Sequence, residues 1–257
     1  MITVAWAAYG GLLLARIAAW VVATPLVAGR VPMSVRGGLA VTLAAFYLVG
    51  QPPPWDARWA AAAETISSGL YLLALFREVL IGLVLGVLFG LWLLPARVAG
   101  EFLTFQIGLN AAPLPGPTGE EGAGSVTSLM EILATLVFFS LDGHHILLTV
   151  LHTSWAVLPL AGATLPPLTP AINGMATAYE LGLLLAAPVA ACLLLLSVTL
   201  AVMARTAPQL NIYSIGFTLQ VMVLMLAGGL LLPEMVHSMQ FHGQQLSAWL
   251  LQTFGRR

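Results

Sequence analysis

The densest set of potentially reactive side chains in this chain is Asp142-Gly143-His144-His145. A carboxylate and two imidazoles could make a transition-metal site or a general acid–base pair. Zinc-binding histidines on a helix ordinarily stand four apart, so that successive turns present both to one ion. Here they are adjacent, and adjacent side chains on a helix diverge by about 100°. His152 follows with no acid beside it. The spacing therefore predicts a glycine-broken turn with polar capping. No Ser-His-Asp order, Walker loop or GxGxxG stands out. The single cysteine, Cys192, lies in an apolar run and reads as inert packing. No catalytic group, metal or cofactor is expected.

A second set consists of charges inside apolar segments: Arg16, Arg77, Glu78, Glu131 and Asp142. An ionisable group in hydrocarbon is costly and needs a partner. Arg77 and Glu78 are sequence neighbours, which do not face each other on a helix, so separate partners are expected for each. Pairing across subunits is favoured over a proton relay, because the carboxylates share no spacing.

The elements that position these residues follow from composition. Of 257 residues, 60% are hydrophobic and 7% charged, against an ordinary charged share of about 25%. Ten acids and nine bases cannot cover a soluble surface of this size. A freely soluble enzyme and a disordered chain are both excluded. The net charge of −1, with arginine as the sole basic residue type, gives no nucleic-acid surface. The N-terminus has no basic region, so the first apolar run is expected to remain as an anchor.

Six apolar segments can be read, roughly 2–28, 37–50, 66–96, 129–151, 178–204 and 211–233. The predicted fold is all-α and membrane-associated, with no visible internal repeat. Segment lengths are uneven. The second would make about 21 Å of helix and the third about 46 Å, against about 30 Å of hydrocarbon. Some segments could therefore pack on other proteins. Arg30, Arg36, Arg97 and Arg205 fall at the first, third and fifth connections, and only Arg58 at the second. That bias predicts the odd connections on the cytoplasmic side, with both termini outside.

Within the third segment Gly82, Gly86 and Gly90 stand four apart, a spacing that lets a neighbouring backbone approach one helix face. Continued past Pro95, which can kink a helix, that face meets Arg97, Glu101, Thr104 and Gly108, with Gln106 nearby. The face reads either as ordinary helix packing with a solvated end or as a channel or subunit seam. The stretch Gly108 to Ser128 holds three prolines and five glycines and is expected to be irregular. It reads as an external loop or as a gate, because irregular backbone at membrane depth survives only beside protein or water. Asn110, Pro113, Pro115, Pro117, Glu120, Glu121 and Gly124 mark it. Further on, Arg205, Pro208, Gln209 and Asn211 belong to a short polar turn between two long apolar helices. Pro208 ends the first and Asn211 can cap the second.

Three stretches carry a family resemblance: Arg97-Val98-Ala99-Gly100-Glu101 through Gln106-Ile107-Gly108-Leu109; Asp142-Gly143-His144; and Arg205 through Asn211 with Gly216 following. In this order and spacing they resemble the FliR family of flagellar export-gate proteins and its injectisome relative SctT. Flagellar members often show Gly-x-Pro-x-Lys where this chain has Gly216-Phe217-Thr218-Leu219-Gln220; Gly216 favours the flagellar branch. The resemblance implies a FliP-like part over 1–175 followed by a FliQ-like helical hairpin and tail over 176–257. It implies a non-enzymatic, pore-forming role with FliP-like and FliQ-like subunits, beside FlhB-like and FlhA-like proteins, passing unfolded export substrates. It places the chain in the bacterial inner membrane at the flagellar basal body. The Gly108–Ser128 stretch would then plug the pore, and the Arg205–Asn211 turn would lie near the cytoplasmic entrance. Two other readings remain. A small secondary transporter would use Arg77, Glu78, Glu131 and Asp142, and predicts half-to-half repeat symmetry. An intramembrane enzyme would use Asp142, His144 and His145.

Overall fold

The structure, a computed structural model, describes residues 2–25, 31–50, 68–108, 124–160, 162, 169–206 and 212–254. Among the described residues it is built of seven α-helices, without β-strands. They are α1 (Ile2–Ala23), α2 (Met33–Gly50), α3 (Ser68–Gln106), α4 (Ser125–Ser140), α5 (Gly143–Val157), α6 (Thr169–Thr206) and α7 (Ile212–Phe254). Among the described residues five helices are long and apolar enough to cross a membrane, or six candidate spans if α4 and α5 count as one bent span.

The unequal lengths expected from sequence become more extreme. Helices α3, α6 and α7 have 39, 38 and 43 residues. At about 1.5 Å per residue each is close to twice the hydrocarbon thickness. In α3 the uncharged run from Val79 to Ala96 is 18 residues, bounded by Glu78 and Arg97. It would span about 27 Å, close to one bilayer core.

Element boundaries differ from the sequence reading in places: the stretch expected to be irregular to Ser128 gives way to α4 at Ser125. The apolar segment 129–151 is broken at the glycine-marked turn expected there, where Asp142 takes a left-handed conformation, φ 54° and ψ 30°, but the polar capping expected with it is absent: Asp142 makes no side-chain cap hydrogen bond. Asp is one of the few non-glycine residues that visit this region readily. Helix α6 begins at Thr169 rather than near 178. Pro170 sits in its first turn, where a missing N–H costs nothing and the fixed φ suits the helix. Helix α7 runs through Pro233 to Phe254 instead of ending there, just as α3 runs through Pro95.

The chain forms two compact units: Met1–Leu91 with Asp142–Gly174 and Gln245–Arg257, and Trp92–Leu141 with Met175–Gln244. In the first, Leu12, Leu13, Ile17, Ile81, Leu85, Leu151 and Trp155 are buried. Tyr47 of α2 packs edge-on against Trp155 of α5, ring centres 4.5 Å apart, and stacks with His152. In the second unit Phe138 lies edge-on to Trp92 at 5.2 Å. There α6 and α7 form a hairpin, with Gln220 donating to Ser197 Oγ at 3.4 Å and Gly216 close to Leu200. The units interleave along the sequence.

Candidate functional site

The most heavily determined polar site is a buried triad in the first unit. Arg16 of α1 donates from Nε to Glu78 Oε2 of α3 at 2.6 Å. Arg77 donates from Nη1 to Glu78 Oε1 at 2.7 Å. Arg16 and Glu78 side chains are 0% exposed and Arg77 9%. The separate, cross-subunit partners expected for Arg77 and Glu78 are thus corrected: the two pair with each other, and Glu78 also accepts from Arg16. The i,i+1 rule fails here because arginine is long enough to reach back along its own helix when its target is a buried carboxylate.

Two guanidiniums against one carboxylate leave a surplus positive charge, because arginine stays protonated. The end of α5 offsets it. Arg16 Nη2 donates to the Leu158 carbonyl at 2.8 Å and Nη1 to Ser154 Oγ at 3.4 Å. Arg77 Nη1 donates to the Pro159 carbonyl at 3.2 Å. Leu158 is the C-cap of α5, so the surplus charge sits at the negative end of a helix dipole beside carbonyls that lack intrahelical donors. The triad ties α1, α3 and α5 together. Arg16 and Arg77-Glu78 stood out in sequence as costly charges, but nothing in their spacing announced the end of α5 as the third party.

Immediately after the triad, the three spaced glycines of α3 meet α1 and its exit. A Cβ on Gly82 would collide with the Arg16 carbonyl oxygen, and one on Gly86 with Ala23 Cβ. One on Gly90 would lie 3.1 Å from Pro25 Cγ. The close approach expected of this face is therefore made by the chain's own first helix.

In the second unit the polar stripe divides. Arg97 and Glu101 pair at 3.2 Å with both side chains more than half exposed, and Arg97 also approaches Glu131 at 3.5 Å. Thr104 is buried, donating to the Gly100 carbonyl and lying 3.4 Å from Thr127 Oγ1. Gln106 donates to the Ala190 carbonyl of α6 at 2.9 Å. Gly124 sits at the N-cap of α4, where a Cβ would meet Thr104 Cγ2 at 2.6 Å. Arg205 is exposed in the last turn of α6, a position that favours a cation. Asn110, Pro113, Pro115, Pro117, Glu120, Glu121, Pro208, Gln209 and Asn211 lie outside the described residues.

Glu78 is held by Arg16 and Arg77, whereas Glu131 pairs with Arg97. At the α5 N-terminus the sequence expectation of divergent histidines is also corrected. Donor atoms of Asp142, His144 and His145 all lie within 4.8 Å of one another. The two imidazoles are long enough to lean together, with ring centres 4.3 Å apart.

Long apolar helices tied by a buried ion triad define an all-α, multi-pass membrane protein. The chain belongs to the bacterial export proteins, family 1, whose model matches residues 8–246. It is 31% identical to the flagellar biosynthetic protein FliR of Escherichia coli, covering 82% of this chain and 78% of that one. It is 29% identical to the FliR of Bacillus subtilis, covering 81% and 80%. It is 35% identical to the FliR of Pectobacterium carotovorum, covering 65% of this chain and 64% of that protein. The FliR resemblance carried by the three sequence motifs is thereby borne out.

Proposed function

We propose that this chain is a non-enzymatic subunit of the flagellar, type III protein export gate in the bacterial inner membrane at the basal body. It lines part of the pore for unfolded substrates, together with FliP-like and FliQ-like subunits and next to FlhB-like and FlhA-like proteins. Residues 1–175 correspond to the FliP-like part and 176–257 to the FliQ-like hairpin and tail.

One observation carries the reading beyond the family: apolar surface extends past a bilayer's reach. On α3, Leu72, Leu73 and Phe76 are exposed before Glu78, and Phe102 and Phe105 are exposed after Arg97. They flank the 18-residue uncharged run on both sides, so lipid around that run would leave them in headgroups or water. The long candidate spans also differ in self-burial: 61% of the α3 span is buried within the chain, but only 17% of the α7 span. Exposed patches of this kind mark protein interfaces. Partner helices would cover them, as a stacked hetero-oligomer requires.

Export by living cells tests the role. Removing the chain should abolish secretion of filament subunits while leaving those subunits synthesised inside the cell. Re-expression should restore secretion. Normal secretion without the chain would contradict the proposal.

A further inference from the structure

We propose that Asp142, His144 and His145 bind a borderline divalent transition metal, with zinc as the leading candidate. Their donor atoms already lie within 4.8 Å of one another. A tetrahedral site with zinc–nitrogen bonds of about 2.0–2.1 Å places donors about 3.3 Å apart. Rotations of Asp142 and His145, which are exposed, can close that difference toward the half-buried His144. The imidazole rings are already neighbours, tilted by 46°.

The backbone explains the gathering. Asp142 precedes α5 in the left-handed conformation, and its carbonyl accepts from the His145 N–H at 2.9 Å. Although Asp142 is the N-cap residue, its carboxylate makes no capping hydrogen bond. It therefore keeps lone pairs for an ion. A cation near a helix N-terminus is opposed by the helix dipole. The Asp142 charge counters that opposition, and two imidazoles add the nitrogen donors. Two nitrogens and one carboxylate suit zinc, nickel or copper; magnesium and calcium prefer all-oxygen sets. Three protein ligands from four residues leave at least one position for water, so the ion is exchangeable. A bound ion would fasten the first turn of α5, whose other end is held by Arg16 and Arg77.

The test uses the full chain, purified in detergent with its co-purifying proteins through a tag that contains no histidine. Cobalt(II) serves as a visible probe and zinc as competitor. The wild type should bind about one equivalent more than an Asp142→Asn, His145→Ala double variant, with zinc displacing the cobalt absorption. Asp142→Asn alone keeps a residue that tolerates the left-handed backbone, and should weaken binding by about tenfold or more. His152→Ala lies outside the set and should leave binding unchanged. Equal cobalt uptake by wild type and Asp142→Asn, or loss of uptake in His152→Ala alone, would overturn the proposal.

Discussion

Arg16 on α1 and Glu78 on α3 are 62 residues apart in sequence, yet their side chains meet at 2.6 Å with neither exposed to solvent. Arg77 and the carbonyl end of α5 complete the arrangement. A buried pair adds little net stability compared with an apolar replacement, but removing one partner leaves a charge stranded. The triad is therefore a register lock: it favours one seating of α1, α3 and α5 by making the others costly.

The lock predicts an order of severity. Glu78→Gln leaves two buried guanidiniums without their carboxylate and should cost about 3–5 kcal/mol. Arg77→Met leaves the Arg16–Glu78 pair intact, and Pro159 retains its bond from the Gly162 N–H at 3.1 Å. It should cost at most about 2 kcal/mol. Thermal unfolding in detergent reads the order. Equal destabilisation would contradict this order and make Arg77 as important to the site as Glu78.

The glycine face makes a graded prediction as well. Gly86→Leu drives a side chain into Ala23, and overpacking of this kind costs about 1–3 kcal/mol. Assembly and secretion should fail with it. At Gly90 a Cβ meets only the edge of Pro25 at 3.1 Å, so Gly90→Ala should assemble nearly normally. Measured recovery of the assembled complex separates the two. Normal assembly of Gly86→Leu would place this face away from any helix.

Much of this was legible in the sequence because the rules involved are local. Four-residue glycine spacing gave a tight face at Gly82, Gly86 and Gly90, and Gly143 marked a break. The partner of that face was not legible: the same spacing serves a subunit seam or the chain's own α1. The triad was missed because helix geometry alone separates Arg77 from Glu78, and only tertiary packing supplies Arg16 and the end of α5. The part of α7 beyond Pro233 was missed because hydropathy fades among Glu234, His237, Gln240 and His242, although the backbone stays helical.

The stretch before α4 yields a further prediction. The family resemblance implies that the Gly108–Ser128 stretch plugs the resting pore, with Asn110 to Gly124 as the gate. Gly124 is excluded from the change because its fit against Thr104 leaves no room for a Cβ. Replacing Asn110 to Ala123 with a short glycine–serine linker should leave the complex assembled but raise permeability to ions and small solutes. Conductance across membranes containing the full complex measures it. Unchanged conductance with normal assembly would make the stretch a surface connection.

Mass spectrometry of proteins that copurify with the chain in mild detergent tests the central claim most directly. FliP-like and FliQ-like proteins should be recovered at fixed ratios to it, and expression of the chain without them should yield aggregated or degraded product. A monodisperse, folded monomer that brings down neither protein would contradict the proposed function.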